Sequence, residues 1–160
     1  MRSGWALWGL VVGLFFLHFL LHVGFGIGGA APDLLTVALL LVARELGLGS
    51  AAGVGLAFGL LEDALGVLSF GAAGFAMTVV GMVGAATRDL FVGDSLLFVG
   101  SYFLVGKWIR DLLHWTAAGE ALRQPFVDQV LIQGFVAAGY AAAVGLLLTE
   151  LIGLRKDADG

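Results

Sequence analysis

The sequence predicts an all-α membrane bundle of about six transmembrane helices, and three observations carry that reading. Thirty consecutive residues between Arg2 and Asp33 include no Asp, Glu, Lys or Arg, and similar runs recur over Ala64–Thr87 and Gln129–Thr149. Hydrophobic residues make up 60% of the chain, and its mean hydropathy is +1.02. The hydrocarbon core of a bilayer is about 30 Å thick and an α-helix rises about 1.5 Å per residue, so roughly 20 apolar residues cross it. In lipid each backbone amide must be satisfied within its own segment, which favours helices over irregular chain.

The elements follow in order. A first span covers about Gly4–Val23; its apolar stretch is longer than the roughly 7–15 residues of a signal-peptide core, so it reads as an uncleaved helix. Gly24–Ala31 is a glycine-rich turn closed by Pro32. The second span, Asp33–Ala43, stops at Arg44-Glu45 and rises only about 17 Å, so it must borrow from flanking chain or pack as a partly shielded helix. The third runs over Leu46–Leu61 to Glu62-Asp63, and the fourth over Gly71–Thr87 to Arg88-Asp89. The fifth, Ser95–Trp115, contains Lys107, Arg110 and Asp111. Phe126–Ile152 forms the sixth. Residues 1–154 thus form a single transmembrane domain, and residues 155–160 a polar cytoplasmic tail.

Basic residues set the orientation. With six spans both termini share a side, which carries Arg2, Arg44, Arg88, Arg155 and Lys156; the opposite loops contain only Arg123. The side with five basic residues is expected to be cytoplasmic, with Glu62-Asp63 and Glu120 outside. A net charge of −4 without a basic patch gives no reason to expect nucleic acid, and the absence of cysteine removes disulfides and thiolate metal sites.

Most intramembrane polar groups then fall in the outer half of the bundle: His18 and His22, Asp33, Glu62 and Asp63, and Lys107, Arg110, Asp111 and His114. Glu62 lies about 24 Å along its helix from Leu46, and Arg110 about 22 Å from Ser95, so their depths agree. Lys107 and Asp111 are four apart and can pair on one helix. Arg110 needs a partner, and Glu62 or Asp63 is at the right level. The cluster is either a structural ion-pair network or a contact for a ligand or partner, because charges in a bilayer interior are costly unless paired. His18 and His22 have an i, i+4 spacing compatible with a metal, but no motif offers a third ligand, and no metal or other cofactor is assigned. Ser50, Ser69, Ser95 and Ser101 lack a base at fixed spacing, so no catalytic residue is assigned and the chain is not expected to be an enzyme. Gly49, Gly53, Gly55 and Gly59 form overlapping G-x-x-x-G steps, a helix-packing face.

From Pro32 to about Gly84 the chain resembles the MreD family of rod-shape-determining membrane proteins. The resemblance rests on Pro32-Asp33-Leu34-Leu35, the basic loop at Arg44, and the glycine-rich helix Gly55-Leu56-Ala57-Phe58-Gly59-Leu60-Leu61-Glu62-Asp63, followed by Phe70-Gly71. Gly66-Val67 stands where the family usually has Ser-Gly. The resemblance implies motif positions at Pro32, Asp33, Gly55, Gly59, Asp63 and Gly71. It also implies a fold similar to the substrate-binding S subunits of vitamin importers. The implied role is a non-catalytic subunit of the bacterial cell-wall elongation machinery in the inner membrane, alongside a single-span MreC-like protein and the RodA–penicillin-binding-protein pair. The kinship with S subunits implies an alternative, a small-molecule-binding subunit of a transporter.

Overall fold

A computed structural model describes residues 2–24, 33–65, 71–91, 96–119 and 124–158. All regular structure among them is helical: α1 (Arg2–Phe19, continued by a π-helical turn Leu20–Gly24), α2 (Leu34–Ala43), α3 (Leu48–Leu65), α4 (Ala72–Thr87, followed by a 3₁₀ turn Arg88–Phe91), α5 (Leu96–Ala117) and α6 (Gly134–Ala158, preceded by π-helical turns Val127–Gln133). Among the described residues, two helical stretches, Leu48–Leu65 and Val127–Leu151, are long and apolar enough to cross a membrane. Pro32, Gly66, Val67, Ser69, Phe70, Ser95, Glu120 and Arg123 lie outside the described residues, as do the side chains of Arg2, Arg155 and Lys156.

Helix α2 is the axis of the bundle. Its ten residues are apolar on every side except Thr36, and a helix hydrophobic all round belongs in an interior. All ten are buried, with Leu35, Ala38, Leu39, Val42 and Ala43 fully enclosed, and α2 touches each of the other five helices. The expectation of a partly shielded span is therefore corrected. At about 15 Å the helix is short, and neighbours surround it from end to end. Asp33 starts it: one carboxylate oxygen accepts the Thr36 amide at 3.0 Å and the other accepts the Thr36 hydroxyl at 2.7 Å, satisfying an otherwise orphaned helix-end donor. Near its other end, Tyr102 of α5 donates its hydroxyl to the Leu40 carbonyl at 3.0 Å, tying α5 to the axis.

Helices α3 and α4 make the most extensive pairing in the bundle, because small residues line both faces. Ala51, Gly55, Gly59 and Asp63 recur every fourth residue along one buried stripe of α3. Opposite stand Ala73, Gly74, Met77 and Gly81, all buried. A side chain at Gly55 would fall on the Met77 carbonyl, one at Gly59 on the backbone of Ala73 and Gly74, and one at Gly81 on the Ala51 carbonyl. The four glycines of α3 do not form one face: Gly49 and Gly53 look onto open space. One helix boundary also moves. The third helix was expected to end at Leu61, but α3 continues through Leu65 and carries Glu62 and Asp63 in its last turn. Both carboxylates find partners within the bundle, so neither has to stop the helix.

Candidate functional site

One end of the bundle gathers most of the charge buried in it. Asp33 arrives at the start of α2, Glu62 on the last turn of α3, and Lys107, Arg110 and Asp111 on one face of α5. Arg110 bonds Glu62 through a terminal nitrogen, reaches Asp111 at 3.2 Å, and brings its Nε to 3.7 Å from Asp33. Lys107 bonds Asp111 one turn along the same helix and lies 3.5 Å from Asp33. Asp33 thus caps its helix while facing two cations, an arrangement that links α2, α3 and α5. Lys107 is 4% exposed, and burial of its ammonium is tolerable only because two carboxylates meet it. Arg44 and Arg88 lie at the other end, where Arg88 donates to the Leu46 carbonyl at 2.9 Å and Arg44 lies over the Tyr102 ring.

Asp63 takes no part in that network. Glu62 and Asp63 are consecutive, and the roughly 100° turn between helix neighbours sends them to different partners. Asp63 accepts the backbone amides of Ala73 at 3.1 Å and Gly74 at 2.8 Å. These are orphan donors at the start of α4, where a carboxylate is also favoured by the helix dipole. The cap residue of α4, Gly71, has φ of 96° and no side chain to cap with, so the preceding helix supplies the carboxylate. Gly55, Gly59, Asp63 and Gly71 therefore converge on one junction, which holds α3 against α4.

His18 and His22 meet one another. Their rings stack at 4.1 Å, and His22 Nδ1 donates to the His18 carbonyl at 3.0 Å. His18 lies within electrostatic reach of Asp33, Glu62 and Arg110, at the edge of the charged network. Among the described residues no group of three His, Cys, Asp or Glu side chains is placed to hold a metal ion. The hydroxyls of Thr78, Thr149 and Ser101 donate to carbonyls of their own helices.

Two contributors escape a reading of sequence alone. Thr36 completes the Asp33 cap, and the Asp-x-x-Thr spacing at the head of an apolar run is the signal that would have found it. Tyr102 joins α5 to α2 through a main-chain carbonyl, a partner that no side-chain pattern reveals. No family model, curated protein or solved structure matches the chain.

Proposed function

We propose that the chain is a polytopic inner-membrane protein with both termini in the cytoplasm. In this reading it serves as a non-catalytic scaffold of the bacterial cell-wall elongation machinery, in the manner of the MreD proteins its sequence resembles. The observation that carries the reading is how the motif residues are used. Asp33, Gly55, Gly59, Asp63 and Gly71 all serve helix starts and helix contacts inside the bundle. What remains for partners is the outside of the helices, and that outside is apolar. Trp5 and Phe16 on α1, Leu56 and Leu60 on α3, Leu97 on α5, and Phe135, Tyr140 and Leu147 on α6 are exposed. So broad an apolar surface suits lipid and neighbouring helices better than water.

A scaffold of this kind would receive the single span of an MreC-like protein on one such face and hold it beside the RodA–penicillin-binding-protein pair. The test is gentle-detergent purification from the native host, followed by mass spectrometry of proteins and metabolites. Recovery of the MreC-like protein and the synthase pair is the expected result. Recovery of an ATPase module with a bound vitamin, and no wall-synthesis protein, would replace the scaffold with an S-subunit-like transporter component. That second reading draws its support from buried polar atoms that the ion pairs leave unbonded.

A further inference from the structure

Among the described residues, the formal charges at the cluster end do not balance. Three carboxylates, Asp33, Glu62 and Asp111, face the two cations Lys107 and Arg110. Asp63 stands apart, since amides of α4 hold both its oxygens. Hydrogen bonding is incomplete at the same place. Among the described residues, Glu62 Oε2 and His18 Nδ1 are buried with no hydrogen-bond partner, and His18 itself is only 4% exposed. Arg110 Nε is also unbonded but has Asp33 beside it as an ion-pair partner.

Helices α1 and α3 bring these two unbonded atoms to one level. Phe15 and Phe58, about one turn earlier on each helix, have ring centroids 5.8 Å apart. The charges that act on His18 come from His22 on its own helix, Asp33 from α2, Glu62 from α3 and Arg110 from α5, and His114, one turn past Arg110 on α5, faces the same Glu62, Arg110 and Asp111. His22 already spends its Nδ1 on a carbonyl. A carboxylate oxygen only accepts, and with its proton on Nε2 a neutral His18 presents Nδ1 as an acceptor, so a single donor between them would satisfy both. Water could supply that donor but would leave the excess negative charge buried. We propose that the cluster is a binding site for one ammonium-type cation, an N–H donor carrying a single positive charge, seated between Glu62 Oε2 and His18 Nδ1. Its source is either a free small amine or a lysine presented by a partner, and the recognising chemistry is the same.

The test is thermal melting of the isolated chain in detergent. Melting in methylammonium chloride is compared with equal concentrations of tetramethylammonium chloride, which has no N–H, and of sodium chloride. Methylammonium should raise Tm by about 2–4 °C above both, the shift expected when a chain of this size binds a ligand at several times its Kd. Equal effects of the three salts would overturn the proposal. Glu62→Gln removes the excess charge and should abolish the methylammonium difference. His18→Lys supplies the cation from within, so it should cease to respond to methylammonium; a response as large as the parent's would overturn the proposal. A parent Tm that rises as pH falls, without methylammonium dependence, would assign the missing charge to a proton on His18 or His114 and reject the site. The source is read from the chain purified with its membrane partners. A lysine in place would suppress the response, and a freely exchanging amine would leave it intact. The arms on the isolated chain stand independently of the scaffold reading.

Discussion

A single methyl group added to α3 should have opposite effects at two glycines six residues apart. At Gly59 the new carbon would lie 2.5 Å from Gly74 Cα and 2.6 Å from the Ala73 carbonyl carbon, all of it backbone. Carbon atoms sit comfortably at about 3.5–4.0 Å, so α3 and α4 would have to part by roughly 1 Å. Overpacking of this kind typically costs about 1–3 kcal/mol. The parting also loosens the hold of Asp63, one turn further on, on the Ala73 and Gly74 amides. Replacing Gly by Ala within a helix returns at most about 1 kcal/mol, which leaves a net loss of up to about 2 kcal/mol before the loosened Asp63 cap is added. At Gly53 nothing lies within 4 Å of the added carbon, so only the favourable contribution remains. Thermal melting in detergent should therefore place Gly59→Ala several degrees below the parent, at about 2–4 °C per kcal/mol, with Gly53→Ala level with the parent or slightly above it. Equal melting of the two variants, or a Gly59→Ala chain that gains stability, would refute the close α3–α4 contact.

Other consequences follow from the same geometry. Arg110→Ala leaves Glu62 without its bonded partner and should lower stability by about 3–5 kcal/mol, with part of the loss recovered in the Arg110→Ala, Glu62→Ala double variant; thermal melts of the three chains decide it. Asp63→Ala leaves two amides at the start of α4 unbonded, and a loss of about 1–3 kcal/mol is expected, accompanied by faster hydrogen exchange at Ala73 and Gly74. Tyr102→Phe removes one bond to the Leu40 carbonyl and should cost about 1 kcal/mol in the same assay. For the proposed topology, a cysteine at Glu120 should react with an impermeant reagent from outside the cell and one at Arg88 only from the cytoplasm. Reaction of the Glu120 site from the cytoplasm alone would reject that arrangement.

The sequence made some of this legible and hid the rest for physical reasons. The run Leu34–Ala43 announces a helix with no polar face except Thr36, and such a helix has to be enclosed. Which helices enclose it depends on packing that no local pattern encodes. The i, i+4 pairing of Lys107 with Asp111 is visible from spacing alone. The choice between Glu62 and Asp63 for Arg110 is not, because it depends on how α3 is rotated about its axis, and one residue of rotation exchanges an ion pair for a helix cap. Gly53 and Gly55 look alike as letters, yet only Gly55 meets a backbone. The extension of α3 beyond Leu61 was hidden for the same reason: a carboxylate ends an apolar helix only if nothing inside the bundle receives it.

The scaffold reading requires a partner on an exposed helix face, and photo-crosslinking in living cells tests that most directly. A photoreactive residue placed in turn at Phe16, Gly53, Leu56, Phe135 and Leu147 samples outward positions on α1, α3 and α6. The expected result is a discrete adduct with an MreC-like single-span protein from at least one of these faces, and none from a control at fully buried Leu39. Lipid adducts alone at every outward position, in cells whose wall elongation continues normally when the chain is depleted, would contradict the account.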